Sequence, residues 1–158
     1  VAFSLSAQTD PPKYGHINLG NLLDEMPQTS EAESKLLVFA DSLNRKDSTM
    51  TAEFQTAYLQ LKKEYDEGAL TPVQVQQRQA VLEQQRDAIQ KYEEQAQQLL
   101  EAKRAELLQP ILLRVNEAIV AVAKRDGYMM IFDIGSGALL FAAETIDVTA
   151  AVKKELGL

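Results

Sequence analysis

The sequence predicts an α+β fold in which a long antiparallel α-helical coiled-coil hairpin is inserted into a small body containing β-structure. Three observations carry that reading. Between Leu36 and Leu61 the apolar positions fall at Leu36, Ala40, Leu43, Met50, Phe54, Ala57 and Leu61, a 4-3 alternation with Asp47 on the same stripe, which is the pattern of a coiled-coil seam. After Pro72 a second stretch repeats Val75, Leu82, Ile89 and Ala96 seven residues apart, with Tyr92 and Leu99 at the offset positions. Composition also changes along the chain: residues 72–109 hold eleven glutamines and no phenylalanine, whereas residues 14–23 and 111–141 carry dense aliphatic runs. A polar projection is expected between the two halves of one apolar body.

Val1-Ala2-Phe3-Ser4-Leu5-Ser6-Ala7-Gln8 is apolar and ends in small residues, as the tail of a signal peptide does. Export is the expectation, with residues 1–12 as that remnant and a flexible lead-in through Pro11-Pro12. Residues 13–19 alternate weakly before Gly20 and suit a short strand. Residues 21–26 permit a helical turn closed by Pro27. Ser30 and Glu33 have the spacing of a capping box, so the first long helix is expected to start there. Glu67-Gly68-Ala69-Leu70-Thr71-Pro72 ends it, because glycine accepts the left-handed conformation after a helix and proline suits the first position of the next. Thr71 and Gln74 repeat the capping spacing. The arms, residues 30–67 and 72–109, count 38 residues each, about 57 Å at 1.5 Å per residue.

Pro110 removes a helical hydrogen bond and reads as the hinge at the base of the arm, as Gly68 reads as the turn at its tip. Beyond it Ile111, Val115, Ala118, Ile119 and Val122 form an apolar helical stripe. Asp126-Gly127 ends that helix, and residues 128–134 read as a buried strand. Gly135-Ser136-Gly137 reads as a turn, with residues 138–142 as the hairpin partner of the strand. Asp147 or Thr149 is the expected cap of a last helix through Leu156. The domains are therefore a body, residues 13–29 and 110–158, and an arm, residues 30–109. A body this small buries little apolar surface by itself, so oligomerisation is the usual remedy.

The net charge of −7 disfavours nucleic acid and anionic membrane surfaces as partners. No apolar run approaches the ~20 residues needed to cross a bilayer, so no stable membrane insertion is expected. Without cysteine there is no disulfide, reactive thiol or thiolate metal site. The single histidine, His16, lies in the first predicted strand with no second histidine to share a metal. Gly135-Ser136-Gly137 lacks the lysine and following helix of a phosphate loop. Glu93, Glu94 and Glu101 fall on a polar helix face, where acid–base catalysis would lack the burial it needs. The sequence predicts no catalytic residue, cofactor or metal.

The segments His16-Ile17-Asn18, Leu22-Leu23 and Pro27, then Leu107-Leu108-Gln109-Pro110-Ile111, and finally Val122-Ala123-Lys124 with Gly127-Tyr128, Ile131 and Asp133 resemble the Skp/OmpH family of periplasmic chaperones. The closing Asp147-Val148-Thr149 with Val152 and Leu156 is similar to that family's terminal helix, and the resemblance covers about residues 13–158. It implies a jellyfish-like homotrimer: a small β-barrel body with three helical hairpins around a cavity that holds unfolded outer-membrane proteins without nucleotide. Well-known members have basic arms and a lipopolysaccharide-binding patch. This chain departs from them, with five basic and eight acidic residues in 30–67 and five and six in 72–109. No lipopolysaccharide site is carried over, and the glutamine-rich, acidic character resembles the Bacteroidetes branch.

The candidate client contacts are Tyr58, Tyr65, Leu70, Val73 and Tyr92, since amphipathic rings touch unfolded chain without fixed geometry; the alternative is that the tyrosines fill the seam. The candidate trimer interface is Ile111, Val115, Ile119, Ile131 and Phe132. A coiled-coil spacer, or an adaptor presenting Leu70 and Val73 to a folded partner in the cell envelope, is the other function class the hairpin serves.

Overall fold

The computed structural model describes residues 11–137, 139 and 141–158. The expected signal-peptide remnant, Val1–Gln8, lies outside them. In chain order the elements are strand β1 (Lys13–Ile17), helix α1 (Leu19–Asp24), helix α2 (Pro27–Asp66), helix α3 (Pro72–Asp126), strand β2 (Tyr128–Asp133), 3₁₀ turns at Ile134–Ser136 and Glu144–Ile146, and helix α4 (Thr149–Leu156). The residues divide into two compact units, Val1–Glu31 with Leu108–Leu158, and Ala32–Leu107.

Helix α2 starts at Pro27, three residues before the Ser30 capping box. Proline at the first helical position loses an N–H that would be unpaired anyway, and the Thr29 amide donates to the Met26 carbonyl. Thr29 and Ala32 are then already buried. The other end follows the sequence closely. Gly68 takes φ +67, its amide donates to the Tyr65 carbonyl, and the Ala69 amide donates to Glu64. These two bonds are the Schellman pair that satisfies the last carbonyls of a helix. The Thr71–Gln74 capping box forms: the Thr71 amide donates to Gln74 Oε1 at 2.8 Å and the Gln74 amide to Thr71 Oγ1 at 3.4 Å.

Helix α3 runs for 55 residues and passes through Pro110 without a break. Proline costs it one hydrogen bond, and Gln109 and Pro110 are exposed at that point. It ends where Gly127 takes φ +74 and Lys13 Nζ donates to the Asp126 carbonyl at 3.0 Å.

The expected hairpin of residues 128–134 with 138–142 does not form. Strand β2 pairs instead with β1, in parallel, with Gly15 opposite Ile131 and His16 opposite Phe132. A parallel pair needs a long crossover, and here residues 18–127 supply it. Asp133 ends β2: its Oδ1 accepts the Gly135 amide at 2.9 Å and the Leu19 amide at 3.1 Å, so the chain folds into a 3₁₀ turn and the start of α1 is tied to the same carboxylate. Leu139 and residues 141–143 lie in no strand, and Ala138 and Leu140 are outside the described residues. On its other side β1 is flanked by the single bridge His16–Asp147. Among the described residues the sheet is this two-stranded one.

The fully buried large side chains, Ile17, Leu22, Met26, Val115, Val122, Val148 and Val152, all belong to the first unit. In the second unit the most buried residues, apart from Ala32, are Leu61, Leu82 and Tyr92, all on the seam.

Candidate functional site: the arm and the apolar face of the body

The seam of the arm is narrow. Along α2 Leu36, Ala40, Leu43, Asp47, Met50, Phe54 and Ala57 are part-buried and Leu61 is buried, the frame read from the sequence; Glu64 continues it, and Phe39 and Thr51 are part-buried beside it. Along α3 the seam positions are Val75, Arg78, Leu82, Gln85, Ile89, Tyr92, Ala96 and then Leu100. The last step corrects the sequence reading, which put Leu99 on the seam. A spacing of four after four shifts the frame by one residue, and Leu99 points to solvent. Beside this shift is a pocket of about 240 Å³ lined by Ala40, Leu43, Asp47, Tyr92, Ala96 and Leu100 among others. Small alanines and a carboxylate where leucines would pack account for it. Asp47 Oδ1 is buried there with no hydrogen-bond partner.

Tyr92 belongs to this seam. Its ring is 8% exposed, its hydroxyl donates to the Leu43 carbonyl at 3.2 Å, and Lys46 Nζ stands 4.6 Å from its centroid. It therefore fills the arm, and the expectation that it meets a client is corrected. Tyr58 and Tyr65 do the opposite, at 53% and 63% exposed, as does Val73 at 62%; Leu70 is half-buried. Three residues that the sequence reading missed join them: Leu37, Val38 and Leu59, all strongly exposed on α2. In the seven-residue frame Leu37, Tyr58 and Tyr65 each follow a seam position by one residue, and Val38 and Leu59 follow by two. That register was the signal that places them on the outer face. Near the tip, Arg78 and Glu64 pair at 2.9 Å. The Glu64 carboxyl is held below its ordinary value, first by the hydrogen bond from the Gln60 amide, against slight burial, and then by Arg78.

The body has its own exposed apolar surface. Ile111 and Val115, two of the expected interface residues, pack inside the chain's own core, which corrects their assignment. Ile119 and Ile131 are half-buried, and Phe132 is 40% exposed. The exposed large apolar residues of this stretch of α3 are Leu112, Leu113 and Val120; Leu113 and Val120 lie on the side away from Val115, among the exposed Arg114, Asn116 and Glu117, and Leu112 borders the core stripe. On the sheet, Tyr14, Met130 and Phe132 share one face, with the Tyr14 and Phe132 rings 6.5 Å apart, and Met129 is exposed beside them. His16 sits on that face too, but the 3₁₀ segment covers it: Nε2 donates to the Ala143 carbonyl at 3.1 Å.

No metal-binding cluster of three or more His, Cys, Asp or Glu occurs among the described residues, and no described helix is long and apolar enough to cross a membrane. Glu93, Glu94 and Glu101 are exposed.

The family model described as outer membrane protein (OmpH-like) matches residues 13–156. The chain belongs to the OmpH-like family. In fold this OmpH-like protein is similar to a crystal structure from Caulobacter crescentus CB15 that is provisionally assigned as an OmpH-like outer membrane chaperone. The TM-score is 0.77 and the identity 16%, over 99% of this chain and 90% of that one. Comparison with curated proteins gives no match.

Proposed function

We propose that this OmpH-like protein is a periplasmic, ATP-independent holdase: a homotrimer that keeps unfolded outer-membrane proteins from aggregating in a cavity between three helical arms. The observation that carries the reading is the outer face of α2, where Leu37, Val38, Tyr58, Leu59 and Tyr65 stand exposed. Apolar and aromatic side chains exposed on the outer side of a helix suit a ligand that offers many weak apolar contacts and no fixed shape. Such contacts add because confinement raises the effective concentration of client near the arms. No nucleotide or catalytic group is needed.

Self-association draws support from the body, whose α3 exposes Leu113 and Val120 on the side away from Val115 and Leu112 at the edge of the core stripe. Three copies closing around that face, with the β1–β2 sheets contributing to a shared barrel, would cover it. Residues 13–29 and 110–158 act as the assembly domain, residues 30–109 as the arm, and Pro110 as its hinge.

The test is dilution of a urea-unfolded outer-membrane β-barrel protein into buffer with and without this protein, followed by light-scattering mass of the soluble fraction. A free protein of about 53 kDa, three times 17.6 kDa, with the client soluble in a larger complex, is the expected result. A client that precipitates regardless would move the arm to a spacer role in the cell envelope.

A further inference from the structure

On the outer side of α3 in the arm, two positions of each repeat are mostly glutamine, beside exposed charged residues such as Asp87 and Glu94. With Val75, Leu82, Ile89 and Ala96 on the seam, the next two positions in each repeat are Gln76-Gln77, Glu83-Gln84, Gln90-Lys91 and Gln97-Gln98, and all eight side chains are exposed. Six of the eight carry a primary amide. Among the described residues none of these six makes a hydrogen bond within the chain. The two exceptions carry opposite charge, and Glu83 lies 3.6 Å from Arg86. The double row from Gln76 to Gln98 is about 33 Å long at 1.5 Å per residue.

Helix formation alone does not ask for glutamine here, since Glu and Lys have similar propensity and usually occupy the outer positions of a coiled coil. What the amide adds is two donors and an acceptor with no charge. An unfolded main chain presents the matching set, an N–H donor and a C=O acceptor on every residue except proline, also uncharged.

We propose that the glutamine ridge is a recognition surface for unfolded main chain, binding it by amide–amide hydrogen bonds beside the apolar contacts of Tyr58, Leu59 and Tyr65 and without regard to client charge. The inference rests on the holdase reading above and names what that site recognises. Each bond is weak because water competes for it, and the row compensates by repetition. Salt therefore has little to screen, although it shortens the reach of exposed charges to about 3 Å at 1 M.

The experiment measures anisotropy of a dye-labelled, urea-unfolded outer-membrane β-barrel protein titrated with the full-length protein at 50 and 300 mM NaCl. Wild type is compared with the combined variant Gln76→Ala, Gln84→Ala, Gln90→Ala and Gln97→Ala, whose helicity and mass are checked first. The wild-type Kd should change less than about twofold with salt, and the variant should bind about tenfold more weakly, equivalent to ~1.4 kcal/mol. A wild-type affinity that falls tenfold with salt, or a variant that binds as tightly as wild type, overturns the ridge and leaves the holdase standing. A variant whose own mass changes while client binding persists also overturns it, because the glutamines then join arms of neighbouring copies. A wild type that captures no client at either salt overturns both readings.

Discussion

Asp47→Leu should stiffen the arm. The carboxylate occupies a seam position of α2, with Oδ1 buried and unpartnered, and it faces the pocket of about 240 Å³ beside Leu43, Tyr92, Ala96 and Leu100. Removing a buried acceptor that has no partner recovers ~1 kcal/mol, the low end for such a group because the residue is only part-buried. A leucine there buries roughly half of its side chain, worth about 1 kcal/mol, and it is the better helix former by a few tenths. The sum, ~2 kcal/mol, corresponds to about a 30-fold smaller open population. Hydrogen exchange read by mass spectrometry on peptides covering residues 36–50 and 89–103 measures it directly, since amides of a locally opening segment exchange in proportion to its open population. The variant should protect those peptides about 30-fold and leave residues 111–126 unchanged. Equal or faster exchange in the two seam peptides would refute the reasoning, because it would mean that Asp47 is already satisfied and the pocket does not weaken the arm.

Other substitutions test the body. A Cβ at Gly15 would lie 2.8 Å from Val148 Cγ1 and 3.0 Å from Tyr128 Cε1, so Gly15→Ala should destabilise by about 2 kcal/mol and lower the melting temperature by about 4–8 °C; an unchanged melting curve would show that both neighbours yield freely. Leu113→Asp, on the exposed face, should leave helicity intact and reduce the light-scattering mass to that of one chain, whereas Val115→Asp, inside the core, should unfold the body. Val148, not the expected Asp147 or Thr149, holds the N-cap position of α4 with no side-chain capping bond; Asp147, just before it, accepts the Thr149 amide at 2.7 Å. Burial pushes its carboxyl up, but the Thr149 hydrogen bonds, and then His16 and Lys153, outweigh that and hold it below its ordinary value. A depressed carboxyl stabilises the fold above its unfolded-state pKa, and the contribution is lost as pH falls through the lower folded value. Asp147→Asn should therefore flatten the loss of stability below about pH 4, measured as urea midpoints at pH 7 and pH 3.

The long elements were legible because their signals are local. Gly68 and the Thr71–Gln74 box fix one turn by chemistry within six residues, and the seven-residue repeat persists through most of both helices. The β-structure was not legible because β1 and β2 are separated by more than a hundred residues, and nothing near Tyr128 says that its partner is Lys13. The turn-like Gly135-Ser136-Gly137 suggested a hairpin, while the deciding group was Asp133, whose carboxylate takes both nearby amides. Apolar periodicity located the stripe Ile111–Val115–Val122 but did not say whether the chain itself or another copy covers it. It also did not separate Tyr92, inside the seam, from Tyr58 and Tyr65, outside it; the heptad frame does, once each tyrosine is placed against the nearest seam residue.

The two units bury their apolar residues in different ways, and that difference bears on how a client is held. Stability in the body comes from side chains shielded on all sides, such as Leu22, Val122 and Val152, which any large opening would expose together. In the arm it comes from a single seam whose midpoint is occupied by Ala40, Asp47 and Ala96, so one stretch can open while the next stays closed. On the proposed holdase reading, a cavity bounded by such arms would not have to match the size of its client in advance, because opening part of a seam costs less than disturbing the body. The outer faces suit that role: exposed aromatic and aliphatic groups on α2 and exposed amides on α3, set among charges of both signs, and none of these requires a particular client sequence. A rigid, well-packed seam with charged outer faces would suit a spacer of fixed length better. The Asp47→Leu variant separates the two readings, since a stiffer arm should accept a narrower range of client sizes if adaptability is its function and should perform equally well if it only holds surfaces apart.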